Sequence, residues 1–195
     1  MDGEDSAQQP EEMASPRPGS MSRDVMTVAI VSIVALMLGL NLFLFFDDGE
    51  GVEGEEAPNF VLPVLDSEES KELAQYRGQV VLMDFWATWC PPCYDQVPAL
   101  DEVARDPQFK DRVEIFSINV DPPAEEREEL IRSFMDEVEA TLPPLIDDGE
   151  VQRLYGATTI PTLVVVDPTG RVVHVSQGVH DAQRLGELIG EAESP

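Results

Sequence analysis

Two cysteines three positions apart, Cys90 and Cys93, are the residues of this chain whose type and spacing most directly suggest chemistry. They follow the apolar run Gln79 to Trp86, which predicts a strand buried on both faces. A helix predicted from Pro91 to Arg105 would place Cys90 at its N-terminus, where free N–H groups and the helix dipole favour a thiolate. Cys93, one turn further on, would then attack a mixed disulfide formed at Cys90. The spacing therefore indicates thiol–disulfide exchange, with both cysteines catalytic.

Other uses of the two cysteines are a half zinc site or a place in the core. The chain has two cysteines in all, which excludes four-cysteine zinc sites and scaffolds built on several disulfides. Its two histidines, His174 and His180, fall on a predicted strand and a loop far along the chain. We therefore favour redox chemistry, with no metal and no cofactor besides the Cys90–Cys93 disulfide. A copper carrier that binds through the two thiolates and a non-enzymatic binding module are the alternatives.

The dipeptide between the cysteines predicts the direction of exchange. Pro91 and Pro92 have no N–H groups that could donate to the Cys90 sulfur, and no His or Lys lies between the cysteines. The Cys90 thiolate should therefore be less stabilised than in strong oxidants, whose power comes from a stabilised reduced form. This predicts a disulfide reductase.

Asp84 lies within the apolar strand, six residues before Cys90. Because burying an unpaired charge costs several kcal/mol, its pKa is predicted to be raised. Such a carboxylate could accept the Cys93 proton when the mixed disulfide is resolved, which makes Asp84 the third predicted catalytic residue. An acid at the strand edge that reaches water is the alternative.

The N-terminal region divides into three predicted parts. Residues 25–46 contain no ionisable side chain over 22 positions and, as a helix of about 33 Å, would cross a membrane. Residues 1–24 have no apolar period and predict a disordered cytoplasmic tail, and the acidic residues 47–56 predict a flexible tether. Arg17 and Arg23 precede the apolar segment, so the positive-inside rule places the remainder of the chain outside the cytoplasm.

Residues 57–195 predict one folded domain of the α/β class, in which strands alternate with helices and end in a hairpin. The whole chain carries 39 acidic and 12 basic side chains, a formal net charge of −27. This charge excludes nucleic acid as a partner, because phosphate binding depends on Lys and Arg. Besides the elements around the cysteines, the predicted strands are Val113–Val120, Thr162–Val166 and Val172–Val175, and the predicted helices are Ala124–Ala140 and Gln183–Ile189.

Two sequence motifs carry a resemblance to a known family. The segment MDFWATWCPPC, with Thr159-Ile160-Pro161-Thr162 later, resembles the thioredoxin superfamily, and most closely its membrane-anchored TlpA/ResA/CcmG-like thiol-disulfide oxidoreductases. The likeness covers about residues 57–192 and implies a thioredoxin-like fold, with a central mixed sheet flanked by helices. It also implies a cis peptide before Pro161, which would place Ile160 and Pro161 beside the disulfide as substrate-docking residues.

Three residues around the cysteines are further docking candidates, namely Trp89, Pro91 and Pro92. The anchored branch often has a Glu three residues after the second cysteine, and this chain has the neutral Gln96 there. The proton-handling role of that Glu is therefore in doubt, which leaves Asp84 as the acid near the site.

The resemblance also implies partners and a location. Protein thiols and disulfides would be the substrates, with apocytochrome c in cytochrome c maturation or copper-site proteins as examples, and a membrane electron donor would re-reduce the pair. The chain is expected to act as a monomer, anchored in the bacterial inner membrane with its domain in the periplasm or extracytoplasmic space.

Overall fold

The computed structural model describes residues 23–45 and 52–194, and within the first of these segments the side chains of 26–37. The chain divides into two compact units, Met1–Asp48 and Gly49–Pro195. Residues 1–22 of the predicted tail, Phe46 at the end of the predicted anchor and residues 47–51 of the predicted tether lie outside the described residues.

The first unit contains one helix, α1 (Arg23–Phe45), within its described residues. It begins two residues before the predicted apolar segment, and its described side chains are exposed. Within the two described segments, no helix meets the length and hydropathy required to cross a membrane.

A five-stranded mixed sheet forms the centre of the second unit. The central strand β3 (Val80–Trp86) runs parallel to β4 (Val113–Asn119), which is parallel to β5 (Pro144–Ile146). On its other edge β3 is antiparallel to β6 (Thr162–Val166), which is antiparallel to β7 (Val172–Gln177). The predicted α/β class with mixed strand direction is confirmed.

Helices cover both faces of this sheet, so all seven residues of β3 are buried. On one face the second half of α2 (Cys93–Arg105) packs with α5 (Ala182–Ala192) against Leu82 and its neighbours. On the other face α3 (Arg127–Glu137) and α4 (Glu150–Leu154) pack around apolar side chains such as Met83, Phe116 and Phe134. Burial on both faces is the reason that β3 reads as a continuous apolar run.

The long predicted elements are confirmed, and the short ones were missed. The predicted helix Ala124–Ala140 is shorter in the structure, where α3 spans Arg127–Glu137. Sequence periodicity missed α4, β5, the antiparallel pair β1 (Val61–Pro63) and β2 (Ser70–Glu72), and the 3₁₀ turn Leu73–Tyr76. Strands of three residues are too short to display a period, so their existence depends on pairing with distant segments.

The last predicted residues of the tether belong to the folded unit, which is a correction to the predicted boundary at residue 57. The Gly54 N–H donates to the Val172 carbonyl oxygen at 2.7 Å, and the Val172 N–H donates to that of Glu55 at 2.9 Å. Residues 54–56 are therefore held against the start of β7, because backbone pairing satisfies N–H and C=O groups whatever the charge of the side chains.

Candidate active site

The two cysteines lie just beyond the carboxyl end of the central strand. Cys90 and Cys93 are joined by a disulfide, with their Cα atoms 5.4 Å apart. Cys90 is 2% exposed and Cys93 is fully buried. The less buried of the two cysteines is therefore the residue that the sequence predicts as the attacking nucleophile.

The turn that carries the disulfide differs from the prediction in where the helix begins. α2 begins at Cys93, with Pro92 as its N-cap, and not at Pro91. The Cys93 N–H donates to the Cys90 carbonyl oxygen at 3.0 Å, and the Tyr94 N–H donates to that of Pro91 at 3.2 Å. Because these bonds join residues three apart, the chain forms a tighter turn before the α-helix starts.

Asp84 is buried in the middle of β3, paired with Ser117 of β4 and Leu163 of β6. Neither of its carboxylate oxygens has a hydrogen-bond partner among the described residues. Desolvation by burial raises the pKa of Asp84 to about 8. The predicted rise in pKa is confirmed, and the alternative of an acid that reaches water is wrong. Its role as proton acceptor stays a prediction.

Gln96 connects the helix of the site to the loop before α5. Its side chain is fully buried, and its Oε1 accepts a hydrogen bond of 2.7 Å from the backbone N–H of His180. Asp95, the acid next to it, is exposed. The neutral Gln96 therefore binds a backbone donor at the position where the family often has a carboxylate.

His180 lies nearer to the site than its distance along the chain suggested. The structure corrects the prediction that both histidines are remote, because the His180 backbone contacts α2 one turn after Cys93. The His180 ring contacts Ser176 Oγ through Nε2 at 2.9 Å. Burial, and secondarily the neighbouring His174, lowers the pKa of His180.

Pro161 lies at the same end of the sheet as the disulfide. The Ile160–Pro161 peptide is cis, as the resemblance implied. Thr162, the next residue, pairs with Phe85 near the carboxyl end of β3, the end from which the chain continues to Cys90. The Pro161 carbonyl oxygen accepts a hydrogen bond of 2.9 Å from the Gly178 N–H. The register thus brings the cis peptide and the CPPC turn to one end of the sheet.

Comparison with known proteins assigns this arrangement to a family. The sequence pattern of the AhpC/TSA family matches residues 53–175. The chain belongs to the AhpC/TSA family. Among curated members of similar sequence, the thiol-disulfide oxidoreductase ResA of Bacillus cereus is 31% identical over 172 residues, which are 86% of this chain and 95% of that protein.

Further relatives agree with this AhpC/TSA assignment. The thioredoxin-like protein YneN of Bacillus subtilis is 32% identical over 166 residues, 82% of this chain and 95% of its own length. The crystal structure of StoA from Bacillus subtilis superposes with a TM-score of 0.57 at 25% identity and covers 67% of this chain and 95% of its own. The domain has the thioredoxin-like fold, and this AhpC/TSA protein is a thiol-disulfide oxidoreductase of the ResA and StoA type.

The two tryptophans of this AhpC/TSA domain have different environments. Trp86 is fully buried, stacks on Phe134 with ring centroids 4.6 Å apart and donates from Nε1 to Ser117 Oγ at 2.8 Å. Trp89, next to Cys90, is 64% exposed. Trp86 is therefore a core residue, whereas the Trp89 indole is available for contact with another molecule. Pro91 and Pro92 are also exposed beside it.

Sequence reasoning missed Asp121, which holds the segment before Cys90. Its carboxylate accepts hydrogen bonds from the Thr88 N–H at 3.1 Å and from Thr88 Oγ1 at 3.2 Å, and its Oδ2 also accepts one from Asn119 Nδ2 at 2.8 Å. The available signal was its place directly after the predicted strand Val113–Val120, because the carboxyl ends of neighbouring parallel strands meet at the same end of a sheet. This family member thus fixes its CPPC turn from a neighbouring strand end.

Proposed function

We propose that this protein is a membrane-tethered, extracytoplasmic reductase that uses the Cys90–Cys93 dithiol to reduce disulfides in exported proteins. The observation that carries the proposal is a disulfide between two residues of unequal burial, with slightly exposed Cys90 beside exposed Trp89 and Cys93 fully buried. An incoming disulfide can approach Cys90 while Cys93 stays shielded until the mixed disulfide is resolved. No cofactor besides the disulfide is needed for this chemistry.

The proposed reaction has two exchange steps. The Cys90 thiolate attacks one sulfur of the substrate disulfide, a mixed disulfide forms, and the other substrate sulfur leaves as a thiolate that is protonated by water. Cys93 then loses its proton, for which Asp84 is the predicted acceptor, and attacks Cys90 Sγ, and the remaining substrate sulfur leaves as a thiolate that is protonated by water. Two electrons pass to the substrate, and the protein ends with the Cys90–Cys93 disulfide. A membrane electron donor would then reduce this disulfide again.

The backbone around the disulfide supports reduction as the net direction. Pro91 and Pro92 contribute no N–H groups, and the N–H groups of Cys93 and Tyr94 donate to carbonyl oxygens of the same turn. The Asp95 N–H likewise donates to a carbonyl oxygen, that of Pro92, at 3.2 Å. Since these donors are engaged, the thiolate form of Cys90 gains little stabilisation from them, which favours a reducing pair.

A redox titration tests the proposed direction. Equilibrated with dithiothreitol couples, the Cys90–Cys93 pair should have a reduction potential nearer to that of thioredoxin, about −270 mV, than to that of the strong oxidant DsbA, about −120 mV. Alkylation of free thiols followed by mass measurement gives the reduced fraction at each ratio. A variant with Ser at both cysteines is the control for unspecific alkylation. A potential near the strong oxidant would contradict the reductase proposal.

The tether and location are proposed from the N-terminal sequence. The support is the 22-residue segment 25–46 without ionisable side chains, preceded by Arg17 and Arg23. In a bacterial host the full chain should stay in the membrane fraction after carbonate extraction, and spheroplasts should expose its domain to added protease. A chain beginning at Gly49 is the matched control and should leave the membrane fraction. Release of the full chain from the membrane fraction by carbonate would contradict the membrane anchor.

The proposed partners are disulfide-containing proteins outside the cytoplasm. We propose that the protein acts on them as a monomer. The charge of −27 argues for polypeptide partners over nucleic acid, because phosphate binding requires basic residues. Apocytochrome c and copper-site proteins, which the family resemblance implies, are the substrates to look for among proteins trapped on the Cys90 sulfur.

A further inference from the structure

A groove of about 430 Å³ lies between the active-site turn and helix α3. We call it the α3 groove. Its lining includes Trp89, Tyr94, Asp121, Leu130, Phe134 and Glu137. It is separate from the cis-Pro161 side of the site, because α3 follows β4 along one edge of β3, whereas Pro161 precedes β6 on the other edge.

The apolar part of the α3 groove has a fixed floor and exposed walls. Phe134 is buried at the floor, where its ring lies 4.5 Å from that of Tyr94 and 4.6 Å from that of Trp86. The walls are Trp89 and Leu130, which are 64% and 53% exposed. Large apolar side chains grouped around a cleft, and not scattered singly, are typical of a binding surface.

The charge of the α3 groove is acidic. Glu137 is exposed at its border, and Asp121 lies at the end near Thr88. The one basic lining residue, Arg127, is buried and donates to Asp148 Oδ1 and to the Asp147 carbonyl oxygen, both at 2.6 Å. Since the Arg127 charge is compensated within the protein, the exposed charged side chain left for a ligand is Glu137. The complementary ligand carries an apolar side chain and a positive charge.

The position of the groove indicates what brings such a ligand there. Trp89 and Tyr94 belong to the groove and are each next to a cysteine of the disulfide. A polypeptide whose cysteine reaches Cys90 has Pro161 on one side of it and the α3 groove on the other. The polypeptide that carries the reacting cysteine is therefore the molecule best placed to enter the groove during exchange.

We propose that the α3 groove binds the substrate polypeptide beside its reacting cysteine, with an aromatic or aliphatic side chain between Trp89 and Leu130 and a Lys or Arg facing Glu137. This inference rests on the proposed reductase function and names its substrate preference. It predicts selection by residues flanking the cysteine, in addition to the exchange chemistry that any accessible disulfide undergoes.

The test uses the reduced full chain and short synthetic peptides whose single cysteine is a mixed disulfide with 2-mercaptoethanol. The reference peptide has Phe and Lys on one side of the cysteine, and two others replace Phe by Ser or Lys by Glu. We expect kcat/KM to be about tenfold lower for each replacement, through KM. The small neutral substrate 2-hydroxyethyl disulfide provides the normalising rate for every protein variant.

Variants of Leu130 and Glu137 test whether the groove causes the preference for Phe and Lys in the peptide. Leu130→Asp should remove the preference for Phe, and Glu137→Lys should reverse the preference for Lys over Glu. The matched control is Asp136→Lys, an exposed acid in the same helical turn outside the groove, which should keep both preferences. Each ratio between peptides is internal to one variant, so a partly folded preparation does not alter it.

Three outcomes would overturn the inference, and they differ from failure of the reductase itself. If kcat/KM is equal for all peptides while 2-hydroxyethyl disulfide is reduced normally, the groove does not select substrates, although the reductase function stands. Preferences that survive both groove variants would place selection elsewhere on the protein. A dimer in sedimentation that Leu130→Asp dissociates would assign the groove to a second copy of this chain. If 2-hydroxyethyl disulfide is not reduced either, the proposed function fails together with the inference.

Discussion

Replacing Cys90 by serine should lower the rate of disulfide reduction by at least about a thousandfold, because it removes the thiol of the more exposed of the two cysteines. The Cys93→Ser variant should behave differently. Its Cys90 can still attack, but nothing resolves the product, so a covalent mixed disulfide with the substrate should accumulate. Mass measurement of the protein after incubation with a disulfide peptide distinguishes the two variants.

The two serine variants control for each other, since each loses one sulfur from the same turn at little change in volume. An adduct on Cys93 of the Cys90→Ser variant, formed as fast as the adduct on Cys90, would contradict the assignment of attacking and resolving roles. In cells, proteins captured by Cys93→Ser and absent from the Cys90→Ser sample would be the physiological partners.

The second large effect is the pH dependence of stability that Asp84 introduces. Its pKa is about 8 in the folded protein against an ordinary value of 3.8, so the folded state binds more protons between these values. Its protonation therefore favours the folded state, and this contribution is lost as pH rises from about 4 towards 8, at up to about 1.4 kcal/mol per pH unit. Between pH 4 and pH 7 the loss amounts to about 4 kcal/mol.

Asp84→Asn should remove this dependence, because an amide does not ionise. The free energy of unfolding of the variant minus that of the wild type should rise by about 4 kcal/mol from pH 4 to pH 7. Guanidinium unfolding of the oxidised proteins measures it, and the two tryptophans of the chain, Trp86 and Trp89, provide the fluorescence signal. A difference that stays constant with pH would contradict the burial of an ionisable carboxyl group.

The control for this series is Asp95→Asn, which changes an exposed acid on α2 and should alter stability by no more than about 0.5 kcal/mol. A kinetic measurement on the same variants tests the proton-acceptor role separately. Resolution of the mixed disulfide should slow in Asp84→Asn and should lose its dependence on a group titrating near pH 8. An unchanged pH profile would remove Asp84 from the mechanism while leaving its effect on stability intact.

Local sequence was enough to predict the parts of the site that lie within one strand–turn–helix segment. The apolar run of β3, the reactive pair Cys90 and Cys93, and the raised pKa of Asp84 follow from residue types and their spacing. A charge in the middle of an apolar run has no local partner, and a strand covered on both faces must be apolar throughout, so both features appear in the order of residues alone. The cis peptide at Pro161 required the family resemblance, because a proline by itself does not specify its isomer.

Tertiary structure decided which distant residues meet around the disulfide. Gln96 contacts the His180 backbone 84 positions away, and Asp121 contacts Thr88 33 positions away. Neither pair has a signal in sequence spacing, since a hydrogen bond between segments depends on the strand order and register that bring them together. The α3 groove was likewise invisible in the sequence, because Trp89 and Leu130 lie on separate elements and become neighbours only when α3 packs beside the end of β3. The sequence thus determined the chemistry of the two sulfurs, whereas packing determined the surface presented to a substrate, because that surface is formed between elements and not within any one of them.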